Sequence, residues 1–355
     1  MRIESVRDLK LEVAVDVFAP IADRLLDRAK SLNRRLVKVL PPLQRLCLGV
    51  GRGEQPGDFR LAVRLQSRSA VLQEMIDKIR AKVGNEMDIA FIGRVSPLAK
   101  KPPANPAPGT KRGIVATAPP GGEINPQDLQ KIHRPLLIGY SVGHFDTTAG
   151  TIGLLARHRK TGRTVILSNS HVLAKAGLAK LGDAVTQPGK LDGGVPADHV
   201  AALLDFVPMK TEGSNFIDAA IAVIDDSIAV DAASMPGIGA VTIPDGEPVL
   251  PGQKVMKIGR TSGITQGEVM ATELDDVAVD YEGVGTVVFD DQIEIKGLPN
   301  KPFSTDGDSG SLIVTDQTRA IGLLFAGNPF LEDGSGLSFA NPLPRVMTAL
   351  DLVTL

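Results

Sequence analysis

A mainly β chain, in which two packed barrels follow a small α+β domain, is predicted by three observations. After Pro135 the sequence breaks into short apolar runs bounded by glycine and proline, with little helical periodicity before Pro344 to Leu350. About six such runs precede Pro236 and about six follow Gly237, which suits two barrels. Between Ser96 and Arg134 stand eight prolines among lysines and small residues, a composition that cannot bury a core and so divides the chain. The expected units are therefore a domain at 1–96, a linker at 97–134 and a double barrel at 135–355.

The first domain reads as α-β-β-α-β. From Pro20 to Val39 the residues Ile21, Leu25, Leu26, Ala29, Leu32, Leu36 and Val39 recur at helical spacing, with Pro20 placed to start the helix. The run Leu43 to Val50 is apolar. Phe59, Leu61, Val63 and Leu65 alternate with Arg60, Ala62, Arg64 and Gln66, the pattern of a strand with one wet face. Ser69 can cap a helix bearing Val71, Leu72, Met75, Ile76 and Ile79 on one side, with Gly84 as its stop. Met87 to Ile92 reads as a further strand. Gly49-Val50-Gly51-Arg52-Gly53 resembles a phosphate-binding loop, but a strand follows it instead of a helix, so a hairpin connection is expected.

Composition excludes several classes. The 355 residues carry a net charge of -2, which implies no polyanionic partner, so nucleic acid is not expected. The first ten residues interleave charged and apolar side chains without the continuous apolar core of a signal peptide, and no 18-residue apolar span occurs, so no membrane association is expected. The single cysteine, Cys47, cannot form an internal disulfide and reads as a buried small hydrophobe; a reducing, cytoplasmic setting is expected.

The chemistry concentrates in three segments. Ser304-Thr305-Asp306-Gly307-Asp308-Ser309-Gly310-Ser311 puts a serine in a glycine-flanked turn between apolar strands, beside backbone N–H groups. Because a serine hydroxyl alone is a poor nucleophile, it needs a base. Val165 to Ser168 is an apolar strand followed by Asn169-Ser170-His171, and Asp218 opens the apolar run Ala219 to Ala222. The remaining histidines, His133, His144, His158 and His199, lack this strand-end context, His144 in Gly143-His144-Phe145 being the one competitor.

The boxes "SNSHV", "DAAIA" and "GDSGS", in the order His, Asp, Ser, resemble those of the trypsin/chymotrypsin superfamily. Thr148-Ala149-Gly150-Thr151-Ile152-Gly153, Gln187-Pro188-Gly189, Gly259-Arg260-Thr261-Ser262-Gly263 and Ile321 to Gly327 narrow the likeness to cysteine-poor bacterial and phage trypsin-like proteins, to which the plant narrow-leaf protease is related. The resemblance covers roughly the last 220 residues. It implies a chymotrypsin-like double β-barrel with His171 and Asp218 from the first barrel and Ser309 from the second. Ser309 would be the nucleophile, His171 the general base, Asp218 its orienting carboxylate, and the N–H groups of Gly307 and Ser309 the oxyanion hole.

Asp308 is implied to need a cationic partner, with Lys257 and Arg260 as candidates; the other reading is a solvated strand-end charge. The implied substrate pocket comprises Phe303, Ser304, Phe325, Ala326, Gly327 and Gly336. Phe303 falls at the pocket base, which favours small or medium apolar side chains over basic ones, unless it is a core residue pointing away. Asp192, Asp198 and His199 lack diagnostic metal spacing, so neither metal nor organic cofactor is expected.

The function expected is an intracellular serine endopeptidase processing a specific partner protein. The rival expectation is a binding or scaffold protein that keeps the fold and cuts rarely, or only itself. The oligomeric state is left open by the sequence, since the exposed strand of the first domain could pair with a second copy of the chain.

Overall fold

The computed structural model describes residues 1–31, 45–55, 57–98, 114–115, 124–232, 234–243, 246–328, 331 and 333–355. The chain begins with a longer helical run than periodicity suggests, Ile3–Val13 and Ala19–Ser31 joined by a π-helical turn at Ala14–Phe18. Its expected continuation to Val39 lies outside the described residues. Strands Leu46–Arg52 and Phe59–Leu65 form the expected antiparallel hairpin, and Met87–Phe91 runs parallel to the second of them. Helix Ala70–Val83 connects them; the Ser69 hydroxyl accepts from the Leu72 N–H at 3.2 Å, and Gly84 ends it at φ 60°.

The rest is a pair of barrels. In the first, Leu154–His158, Thr164–Ser168, Ala220–Ile224, His199–Phe206, Ala184–Thr186 and Ser141–His144 lie side by side as an open half-barrel. In the second, Lys254–Gly259, Leu312–Thr315, Ala320–Asn328, Leu337–Pro342, Gln292–Gly297 and Gly263–Asp275 follow one another, and the last pairs back with the first to close a six-stranded barrel. Ile258, Leu312 and Leu323 of the second barrel share a buried cluster with Leu154, Val165 and Ile221 of the first, so the barrels pack through one continuous core.

The compositional boundary near residue 96 does not coincide with a break in the sheet. Leu46–Arg52 pairs antiparallel with the outer half of Gly263–Asp275, so the first unit extends the closed barrel by three strands. Gly49 permits this approach, since a Cβ there would lie 2.9 Å from the Thr272 carbonyl oxygen. The glycine run is thus part of a strand and hairpin. The linker is also less uniform than its prolines suggest: Ser96, Pro97 and Leu98 at its start and Leu129 to Arg134 at its end are built into the fold, while most of what lies between is outside the described residues.

The strand expected to have a wet face is buried on both sides. Arg64 is 2% exposed, and its Nε reaches the Glu294 carboxylate at 2.8 Å while Nη2 meets Asp88 at 2.8 Å. The Gln66 amide donates to the Ala278 carbonyl at 2.7 Å and accepts from the Ala278 N–H at 2.9 Å. The alternation is present, and its polar side meets Glu294 and Ala278 instead of water. Cys47, fully buried beneath it, has its thiol pushed well up by burial, which makes it unreactive. Truncating Arg64 would leave Glu294 charged and unpaired in the interior, so Arg64→Ala is expected to cost about 3–5 kcal/mol in denaturant unfolding, whereas Arg60→Ala on the exposed ion pair with Glu54 should cost under about 1 kcal/mol.

Candidate active site

Strand Thr164–Ser168 leads through Asn169 into the short helix Ser170–Leu173, which carries His171. Asp218 precedes Ala220–Ile224, the strand that pairs with Thr164–Ser168, and that pairing sets the two side chains together. His171 Nδ1 lies 2.5 Å from Asp218 Oδ2, and the His171 N–H donates to Asp218 Oδ1 at 3.2 Å. The Asp218 carboxylate has no exposed surface. A buried carboxylate needs more than one donor, and beyond the two from His171 a third is the Tyr281 hydroxyl, which donates to Oδ2 at 2.7 Å. Burial, then the Asp218 charge, push the Tyr281 phenol well above its ordinary range, so it stays a donor. Asn341 Oδ1 accepts from the Asp218 N–H, and Asn169 Nδ2 donates to its carbonyl. His171 Nε2 is buried and has no hydrogen-bond partner among the described residues.

Ser309 sits on the turn before Leu312–Thr315. Its hydroxyl donates to the Phe325 carbonyl at 3.3 Å, so the bond to His171 is not made in this structure. The Ser309 backbone and Val172, which follows His171, both stand against Gly150. A Cβ on Gly150 would lie 2.5 Å from Val172 Cγ2 and 2.8 Å from the Ser309 carbonyl oxygen, and the Thr151 N–H donates to that same oxygen at 2.8 Å. Only glycine at 150 lets the first barrel's edge touch both. Gly307 adopts φ 100°, and a Cβ there would fall 2.0 Å from Arg260 Nη1, so this position too requires glycine.

Asp308 anchors the turn from beneath. Lys257 Nζ is 3.1 Å from its Oδ2, and neither side chain has any exposure. The Ser262 hydroxyl donates to Oδ2 at 2.6 Å, the Thr305 N–H to Oδ2 at 3.0 Å, and the N–H groups of Thr261 and Ser262 to Oδ1 at 3.0 and 3.1 Å. Burial raises the carboxyl's affinity for a proton, but Lys257, the Ser262 hydroxyl and the amides outweigh it, leaving Asp308 below the usual carboxylate range. A Cβ on Gly259 would lie 2.5 Å from Asp308 Oδ1, which explains the glycine that opens the Gly259-Arg260-Thr261-Ser262-Gly263 box.

Arg260, the other candidate, does not pair with Asp308. It forms a bidentate pair with Asp192 at 2.6 and 2.7 Å, and Nη1 holds Thr261 Oγ1, which in turn donates to the Asp306 carbonyl. It braces the turn from its other side.

In the pocket region, Phe303 is fully buried in the cluster that contains Val269, Ile295 and Leu98, beside Gly267, where a Cβ would lie 2.8 Å from its ring. It is a core residue. Ser304 Oγ and Ser338 Oγ are 2.6 Å apart. Phe325 turns its ring toward Phe289, centroids 4.9 Å apart, and offers its backbone to the cleft; Ala326 and Gly327 continue that strand. Gly336 is buried at φ 63° ahead of Leu337–Pro342.

The remaining polar candidates separate. His144 Nε2 meets Asp183 at 3.1 Å while Nδ1 accepts from the Asp146 N–H, so both ring nitrogens are engaged elsewhere. Asp192 belongs to Arg260, Asp198 accepts from the Val195 N–H, and His199 faces Asp225 at 3.3 Å; among the described residues no group of acidic, histidine or cysteine side chains converges as metal ligands. Sequence reading missed Tyr281, which ends an apolar strand with nothing local to mark it, and Asp192, the partner that withdraws Arg260 from Asp308.

Residues 225–336 match the family described as the Nal1 C-terminal domain. Protein NARROW LEAF 1 of Oryza sativa subsp. japonica is 36% identical over 81 residues, which span 21% of this chain and 13% of the rice protein. Among solved structures, Cellulomonas bogoriensis chymotrypsin is 16% identical with a TM-score of 0.41, covering 62% of this chain and 97% of its own. Thermobifida fusca Protease A is 17% identical with a TM-score of 0.42, covering 62% and 98%. No helix among the described residues is long and apolar enough to cross a membrane.

Because removal of Lys257 orphans a buried carboxylate, Lys257→Ala is expected to lose about 3–5 kcal/mol at pH 8. The loss should shrink as pH falls: without its cation Asp308 keeps the Ser262 hydroxyl and the amides but has less to oppose the upward push of burial, so its carboxyl takes a proton at higher pH than in the parent and protonation relieves the unpaired charge. In the parent protein the sign is opposite, the carboxylate's contribution being present above the ordinary pKa and lost as pH falls through its depressed value. Thermal unfolding across pH checks both.

Proposed function

We propose that this chain is a serine endopeptidase that hydrolyses peptide bonds through an acyl-enzyme on Ser309, and that it acts inside the cell on a specific partner protein. The observation that carries this reading is the buried Asp218–His171 pair with Nε2 unpartnered, set against a serine whose turn is fixed by Asp308. Attack requires the Ser309 hydroxyl to leave the Phe325 carbonyl and reach Nε2. His171 then takes the hydroxyl proton as Oγ attacks the carbonyl carbon, Asp218 and Tyr281 hold the ring and stabilise its cation, and the Gly307 and Ser309 amides receive the oxyanion. His171 returns the proton to the leaving amine, and water repeats the sequence on the ester.

Because Lys257 already occupies the place of a cation beside Asp308, the turn needs no new N-terminus to form. A fluorophosphonate is therefore expected to label Ser309 of the full-length protein as translated, with labelling abolished in Ser309→Ala and in denatured protein. Asp218→Asn should lower peptide turnover on the order of 10⁴-fold through loss of the correct histidine tautomer, with little change in substrate binding. Near-normal turnover in either variant would remove the assignment.

A further inference from the structure

The cleft beside Ser309 is occupied by the chain's own backbone. Ser96–Pro97 pairs antiparallel with Ala326–Gly327, in the register Pro97 to Ala326 and Ser96 to Gly327. The Leu98 N–H donates to the Phe325 carbonyl at 3.4 Å, and the Leu98 carbonyl accepts from the Gly307 N–H at 2.5 Å. Its side chain is 1% exposed and packs in the cluster with Phe303, and a Cβ on Gly327 would meet Leu98 Cδ2 at 3.3 Å. The approach is anchored upstream, where the Asp280 N–H donates to the Val95 carbonyl at 3.2 Å and Asn328 Nδ2 to the Ile92 carbonyl at 2.8 Å.

We infer that this segment is the enzyme's first substrate, cut in cis between Leu98 and Ala99; the inference rests on the peptidase reading above and deepens it. A carbonyl held on the Gly307 amide is polarised where negative charge develops during attack, and strand addition fixes its orientation. Ser309 Oγ adds to the Leu98 carbonyl carbon while its proton passes to His171 Nε2. The Leu98–Ala99 C–N bond breaks as that proton goes to the Ala99 amine, leaving a Leu98 ester on Ser309. Water then hydrolyses the ester, giving the Leu98 carboxylate and restoring the serine hydroxyl.

After the cut, Ala99-Lys100-Lys101-Pro102-Pro103 carries no large apolar side chain to retain the new amine, so the reverse reaction is disfavoured. The fragment ending at Leu98 stays attached through the strand pairing of Leu46–Arg52. The same geometry assigns the class of later substrates: a medium aliphatic side chain in the pocket, preceded by proline in an extended segment.

The test follows the intact mass of purified full-length protein over time at several concentrations. Expected are one fragment ending at Leu98 and one beginning at Ala99, formed with a first-order rate that dilution does not change, and an intact Ser309→Ala protein. Leu98→Asp should slow the cut by about 100-fold, because a carboxylate does not enter the apolar pocket, while Leu98→Met preserves it. Leu98→Asp should also be labelled by a fluorophosphonate several-fold faster than Ser309 in uncut parent protein, a gain that misfolding does not produce. Labelling of Ser309 in a chain that stays intact at Leu98, cutting only elsewhere, or a rate that falls with dilution would overturn the inference and leave the peptidase reading standing. Failure of Ser309 to label in both the parent and Leu98→Asp would remove the peptidase reading and this inference with it.

Discussion

The Asp308 carboxylate, held by Lys257, the Ser262 hydroxyl and three backbone amides where no solvent reaches, is the constraint on which the Ser309 edge of the second barrel depends. Its desolvation would be prohibitive without those donors, and the donors come from the Lys257–Gly263 stretch on one side and the Thr305 turn on the other. Satisfying the charge therefore welds two separate segments together. On the outer face of that weld the Gly307 amide meets the Leu98 carbonyl and the Ser309 hydroxyl meets the Phe325 carbonyl.

Three glycines convert this anchor into a cleft. Gly259 leaves room for the Asp308 carboxylate, Gly307 takes a left-handed backbone against Arg260, and Gly150 lets the first barrel's edge press on the Ser309 carbonyl next to the helix of His171. Each lies in one of the short boxes that set this chain apart in sequence. Arg260 and Asp192, a second buried pair at 2.6 Å, connect the same turn to the loop after Gln187-Pro188-Gly189, so both barrels are tied to it.

Much of this was legible beforehand because the signals are local. The turn Gly307-Asp308-Ser309-Gly310, the strand before His171 and the strand after Asp218 all carry their information within a few residues, and the capped helix Ala70–Val83 does the same with Ser69 and Gly84. What could not be read depends on distant contacts. Arg64 and Gln66 look solvated until the long strand Gly263–Asp275 is seen to accept the N-terminal hairpin, and the choice between Lys257 and Arg260 is made by Asp192, which no spacing rule connects to either. Leu98 stands at the edge of a proline-rich stretch whose composition says only that it does not build a core, yet the barrel edge at Phe325 to Gly327 gives its backbone hydrogen bonds and its side chain a pocket.

The claim that a preassembled oxyanion site serves Ser309 is tested most directly by determining the crystal structure of the full-length protein with a prolyl-leucine boronate. The account expects a covalent bond from Ser309 Oγ to boron, a boronate oxygen on the Gly307 N–H in the place of the Leu98 carbonyl, and His171 Nε2 newly hydrogen-bonded, with the Asp308–Lys257 pair unmoved. A boronate bound away from Ser309, or an adduct reached only with the Gly307 peptide reoriented, would contradict it.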